Sequence, residues 1–155
     1  MKPLVADDVE IPLRLIHERF IMRPLMMKDV EQDYEAVMSS IDHLHVQIPP
    51  EVFGDVWPSP TMSLEDDLAD LGWHQVEFKM RSSFTYTVLD PSGTRCLGCV
   101  YIFPSRFTDA EAEVFLWVRA SELANGLDSI LFATVKQWMA STWPFKKIAY
   151  PFRDP

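Results

Sequence analysis

Residues 112–131 read AEVFLWVRASELANGLDSIL, and the fold turns on how this stretch is understood. Val114-Phe115-Leu116-Trp117-Val118 is apolar on both alternating faces, which suits a strand covered on each side by helices and predicts the spine of a sheet. Arg119 to Asn125 then forms a polar loop. Past Gly126, the residues Leu127, Ile130, Leu131, Thr134, Val135, Trp138 and Met139 keep helical spacing, with Lys136 and Gln137 outside. That spacing predicts a helix packed on the strand it follows.

Working outward, Phe84 to Leu89 and Cys96 to Phe103 are strand-like and are joined by the turn Asp90-Pro91-Ser92-Gly93. Before them, Ser63 followed by Asp66 resembles a capping box, and Leu64, Leu68 and Leu71 predict a helix running to about Lys79. Residues His43 to Met62 are broken by prolines and predict an irregular stretch with one helical turn. Phe20 to Leu25 predicts a short strand, and a helix begins at Asp29, whose side chain is placed to cap free amides ahead of Val30, Tyr34, Val37 and Met38. On the other side, Lys147 to Tyr150 predicts a last short strand after Trp143-Pro144. The order is mixed α/β, in the α+β sense, with a mostly antiparallel sheet flanked by helices.

The chain's 155 residues suit one domain, here 18–155 behind an N-terminal extension, 1–17. With 14 basic against 23 acidic side chains the net charge is -9, which argues against nucleic acid; such a surface attracts amines and other cations, but acidic charge more often serves solubility alone. There is no signal-like start and no apolar run of membrane-spanning length, so no membrane is expected and a cytoplasmic location is. The only cysteines are Cys96 and Cys99, too few for a disulfide scaffold. Three apart in a strand, they are expected to face opposite sides as buried thiols rather than a redox or zinc pair. His74 and Glu77 share a helix face, but two ligands make no metal site, and none is expected. Ser121 beside Glu122 has no histidine at readable spacing, so a serine hydrolase is not supported. The five tryptophans and ten phenylalanines are mostly core, with room among them for an apolar pocket.

Glu18-Arg19-Phe20-Ile21-Met22-Arg23-Pro24-Leu25 with Asp29 and Asp33-Tyr34 resembles the opening of GNAT-superfamily acetyltransferases, especially the branch that modifies ribosomal-protein amino termini. Leu97-Gly98-Cys99-Val100-Tyr101-Ile102 is similar to that family's xGxxxI strand, and Ala112 to Val118 to its fourth strand. The resemblance covers roughly residues 18–150 and implies the GNAT acyl-CoA N-acyltransferase fold. It also implies transfer of an acetyl or other acyl group from acetyl-CoA or another acyl-CoA to a small-molecule or peptide amine. Main-chain groups of Leu116, Trp117 and Val118 would then hold the pantetheine. The diphosphate would lie on the loop and helix start, at Arg119, Asn125, Gly126, Leu127 and Asp128, where amides point outward and glycine lets the backbone approach. In the family's loop pattern, Leu123 stands for an Arg or Gln and Asp128 for a second glycine; Gly126 alone matches.

Asp128 is expected to cap the helix, compete for its amides and repel the anion, by about 4 kcal/mol for like charges ~4 Å apart at an effective dielectric near 20. Another loop conformation, or Arg119 near the phosphates, would rescue the site; otherwise Gly126 is a turn and Asp128 a cap, and the chain is a non-catalytic GNAT-fold module binding a ligand or protein. By the same resemblance Glu113 is the candidate general base and Tyr150 the candidate acid for the thiolate. Their alternatives are an exposed strand-end glutamate and a structural tyrosine. Family members continue beyond the last strand for another helix, and the extension at Ile11 to Ile16 or a homodimer partner would fill the resulting gap.

Overall fold

In a computed structural model, which describes residues 2–153, six strands form one sheet in sequence order. They are β1 (Leu15–Ile16), β2 (Ile21–Pro24), β3 (Phe84–Leu89), β4 (Cys96–Pro104), β5 (Ala112–Val118) and β6 (Ile148–Ala149). Neighbours are antiparallel except β5 and β6, which are parallel. Every residue of β5 is buried, as its two apolar faces require, but β5 stands fifth of six. The spine is therefore β3 and β4; two-sided burial signals cover by helices, not central position.

Five α-helices complete the fold: α1 (Val30–Met38), α2 (Ile41–Gln47), α3 (Pro50–Phe53), α4 (Leu64–Lys79) and α5 (Leu127–Thr142). Helices α2 and α3 correct the expectation of an irregular segment with a single turn. Pro49 sits between them, Pro50 opens α3, where a missing amide proton costs nothing, and Pro58 and Pro60 lie beyond α3. The capping box before α4 forms as expected, with Ser63 Oγ accepting from Asp66 N and Asp66 Oδ2 from Ser63 N, each at 3.0 Å. Asp29 behaves otherwise: its carboxylate turns back to Met26 N at 2.9 Å and to the Arg23 guanidinium, tying β2 to the helix that follows.

Each sheet face carries its own core. On one, Tyr86, Val100, Ile102, Leu116 and Val118 pack under α5 through Leu131, Val135 and Trp138, joined by Val5 from the N-terminal extension. On the other, Cys99, Tyr101, Phe115 and Trp117 meet Ala36 and Val37 of α1, Leu44 of α2 and Leu71 of α4. A bulge at Leu97 separates the pairs Leu89–Cys96 and Val88–Gly98, so Cys96 and Cys99 lie in the same core cluster, not on opposite faces. Both thiols are buried, and burial pushes Cys96 up to about 12, which leaves it inert. Among the described residues no helix is long and apolar enough to cross a membrane, and no group of three His, Cys, Asp or Glu side chains is arranged to hold a metal ion.

Candidate functional site

Strands β5 and β6 pair only at Ala112–Ile148 and Glu113–Ala149. From there β5 runs on to Val118 alone, and its open edge presents main-chain groups that no strand takes up: the Leu116 carbonyl accepts from Arg153 Nη2 at 3.2 Å, and the Val118 carbonyl meets His43 Nε2 at 3.0 Å. The V-shaped gap is a cleft of about 420 Å³ walled by Gln47, Phe115, Leu116, Phe132, Phe152 and Arg153. Gln47 also has a buried Oε1 with no partner among the described residues.

Past the end of β5 and its loop, α5 starts on Gly126, held at φ 78° and ψ 14°, and no side chain caps it. The first-turn amides are thus available to an anion. A Cβ at Gly126 would meet nothing within 4 Å, so the glycine serves its left-handed backbone and leaves open approach.

Asp128 does not cap these amides, contrary to the sequence expectation. Its side chain bonds two residues of the cleft wall instead: Arg153 grips it through two bonds of 2.8 and 2.9 Å, and Gln47 Nε2 donates at 2.7 Å. Burial works to raise its pKa, but the Arg153 hydrogen bonds and charge outweigh this and hold the carboxyl below its usual range. The charge expected to repel a diphosphate is therefore largely offset within the protein.

Arg119 lies on the other side of the loop. It is 5% exposed and pinned by Cys96 O, Glu35, Ser39 and Ser121, so it braces the loop against α1 and β4 rather than facing the helix start. Two further cations touch the loop: Arg19 donates to Asn125 O at 3.3 Å, and Arg95 reaches Ser121 Oγ at 3.2 Å and Glu122, whose carboxylate the Asn125 side chain also bonds. Leu123 is exposed.

Glu113 is 2% exposed, not an exposed strand end, and shares its sheet face with Phe115 and Trp117. Its oxygens accept from Arg106 Nε at 2.8 Å and Arg106 N at 3.2 Å, and the same guanidinium reaches Glu51 O in α3. Tyr150 packs on the opposite face, against Phe132 and beside Lys136, and burial raises its phenol to about 12. Glu113 and Tyr150 thus pack on opposite faces of the sheet. His74 and Glu77 also part: His74 bonds Thr85 at 3.1 Å and burial lowers its pKa to about 4, whereas Glu77 accepts from Ser83.

Sequence reasoning missed Arg153, Gln47, Arg106 and the acid pair Asp33 and Asp67. The first three act through contacts 25 to 81 residues away or through a loop, with no local pattern to reveal them. The acids did leave a signal, because Asp33 falls at helical spacing between Val30 and Val37, and Asp67 between Leu64 and Leu71.

No family model and no curated protein matches the sequence. Solved structures do. A ribosomal-protein-S5-alanine acetyltransferase from Vibrio fischeri aligns over 83% of this chain and 67% of its own, at 16% identity and TM-score 0.62. A ribosomal L7/L12 α-N-protein acetyltransferase in complex with coenzyme A gives 80% and 66%, 14% identity and 0.61. A microcin C7 self-immunity acetyltransferase in complex with acetyl-CoA and AMP gives 81% and 66%, 12% identity and 0.58. The chain thus spans about two thirds of the length of these structures. With the sheet order, the parted β5 and β6 and the helix that follows β5, the likeness establishes that this chain has the fold of the GNAT acetyltransferases.

Proposed function

We propose that the protein transfers an acyl group from acyl-CoA, acetyl-CoA in the simplest case, to a small-molecule or peptide primary amine. The observation that carries this reading is the gap between β5 and β6 next to an uncapped helix start at Gly126. A thin, hydrogen-bonding pantetheine suits the Leu116 and Val118 edge. A diphosphate suits the amides of Leu127, Asp128 and Ser129, with Arg19 alongside. When bound, acyl-CoA supplies the activated thioester.

The residues present fit such a group once Arg153 leaves Leu116 O, a weak contact beside its two bonds to Asp128. In this reading Arg153 keeps Asp128 neutralised while a ligand takes over the strand edge. Glu113 takes a proton from the acceptor ammonium after exchanging its Arg106 hydrogen bonds, and Tyr150 holds the acid role only if the departing sulfur reaches the α5 side of the sheet. Arg119 contributes by fixing the loop. The reading places the protein in the cytoplasm and includes a second subunit, as a homodimer partner. A monomer mass in light scattering at micromolar concentration counts against that subunit.

The test is calorimetry of acetyl-CoA and of desulfo-CoA, followed by release of CoA thiol in the presence of primary amines. Binding of both cofactors with amine-dependent thiol release supports the reading. Binding without release at any amine leaves a ligand-binding module of the same fold.

A further inference from the structure

Away from the β5–β6 cleft, α1, α4 and the segment after α3 enclose a second pocket of about 330 Å³. Its floor is acidic. Asp33 on α1 and Asp67 on α4 are 4% and 1% exposed, and their carboxyls lie within hydrogen-bonding reach of each other. Its rim adds Asp55 and Asp70, and its walls include Trp57, Trp73 and Tyr101.

Two observations set this pocket apart from an ordinary acidic surface. Among the described residues no lysine or arginine lines it; nearby Arg23 is engaged by Asp29, and His74, the one basic side chain in the lining, is held neutral by burial. Moreover Asp67 Oδ2 is buried with no hydrogen-bond partner among the described residues. Two carboxyls so close cannot both ionise without a counter-charge, and none of the surrounding elements supplies one. Asp66 and Asp70 on α4 and Asp29 before α1 add negative charge, while Tyr101, Cys96 and Cys99 of β4 remain neutral because burial holds their protons.

We propose that this pocket is a binding site for an organic ammonium ion, seated on the Asp33 and Asp67 carboxyls and flanked by the Trp57 and Trp73 rings. Aromatic faces and carboxylates together recognise a cation with an apolar body, whereas a bare metal ion would find too few ligands in range. The proton shared by Asp33 and Asp67 leaves to solvent as the ammonium enters, so net charge is conserved at the floor. Binding therefore strengthens as pH rises through the range in which that proton is lost. The inference holds whether or not acyl-CoA binds. Should transfer also be established, the pocket lies on the same sheet face as Glu113 and would anchor the acceptor's cationic group.

The test is calorimetry on the full chain, without CoA, using 2-phenylethylammonium chloride and its neutral counterpart 2-phenylethanol. The expected result is millimolar or tighter binding of the ammonium alone, strengthening about tenfold between about pH 5 and about pH 7. Asp67→Asn should weaken binding at least about tenfold with the melting temperature held or raised, since it removes a buried repulsion. Trp73 is 62% exposed, so Trp73→Ala keeps the fold and should weaken binding about threefold or more. Equal binding of the alcohol, no heat from millimolar ammonium, affinity unchanged in both variants, or displacement of the ammonium by magnesium would each overturn the proposal. Because no cofactor is in the cell, none of these outcomes bears on acyl transfer.

Discussion

Arg153 and Asp128, itself a first-turn residue of α5, meet through a two-pronged ion pair, Nη1 to Oδ2 at 2.8 Å and Nη2 to Oδ1 at 2.9 Å. A carboxylate in the second glycine's place would by itself drive a diphosphate away. Paired in this manner it becomes part of a nearly neutral floor, and the site's electrostatics depend on a residue some 25 positions further along the chain.

Breaking the pair from its two ends should therefore have opposite effects on acetyl-CoA affinity. Arg153→Ala leaves Asp128 uncompensated and should weaken binding by about tenfold, roughly 1.4 kcal/mol. Asp128→Asn removes the charge and frees the guanidinium for phosphate, and should tighten binding several-fold, about 1 kcal/mol. Calorimetry on the two variants and on the double variant measures the coupling.

Glu113→Gln keeps an acceptor for Arg106 Nε, so its melting temperature should stay within a few degrees of the parent. If Glu113 is the base, thiol release should fall by about a hundredfold or more with acetyl-CoA affinity unchanged. Thermal melts, thiol-release rates and calorimetry on one preparation separate a structural from a chemical role.

Asp33 and Asp67 predict an unusual pH profile of stability. Burial raises both, Asp67 from 3.8 to about 6 and Asp33 well above its usual value. Between those folded values and the unfolded ones the native state holds more protons than the unfolded chain, so the contribution of Asp67 is greatest at low pH and is lost as pH rises through about 4 to 6, while that of Asp33 is lost in the same direction. Asp67→Asn should flatten the melting temperature across that window and raise it near neutrality. A parent profile that climbs as steeply as the variant's would contradict this.

Two glycines should respond for different reasons. A Cβ at Gly98 would sit 2.2 Å from the Trp117 carbonyl oxygen, a backbone atom that cannot swing aside, so Gly98→Ala should lose about 2–4 kcal/mol in urea unfolding. Gly126 has open space but a φ of 78°, so Gly126→Ala should lose only about 1 kcal/mol.

The sequence made the scaffold readable wherever local rules decide structure. The capping box before α4, the two-faced β5 and the long α5 all follow from nearby residues. Order within the sheet did not, because burial on both faces is shared by β3, β4 and β5, and only pairing tells them apart. The bulge at Leu97 was hidden for the same reason: one unpaired residue reverses the side on which Cys96 points, and nothing in its own sequence announces it. The resemblance pointed to the loop, yet the direction of the Asp128 side chain was set by Arg153 and Gln47, partners no local pattern connects to it.

The most direct test of the account is titration of the parent protein with desulfo-CoA, which cannot react and so reports the cleft alone. Saturable binding at micromolar to high-micromolar concentration, lost on Gly126→Asp and strengthened by Asp128→Asn, is the predicted result. Absence of heat and of any thermal shift at millimolar ligand would contradict it, leaving the GNAT architecture without a coenzyme site.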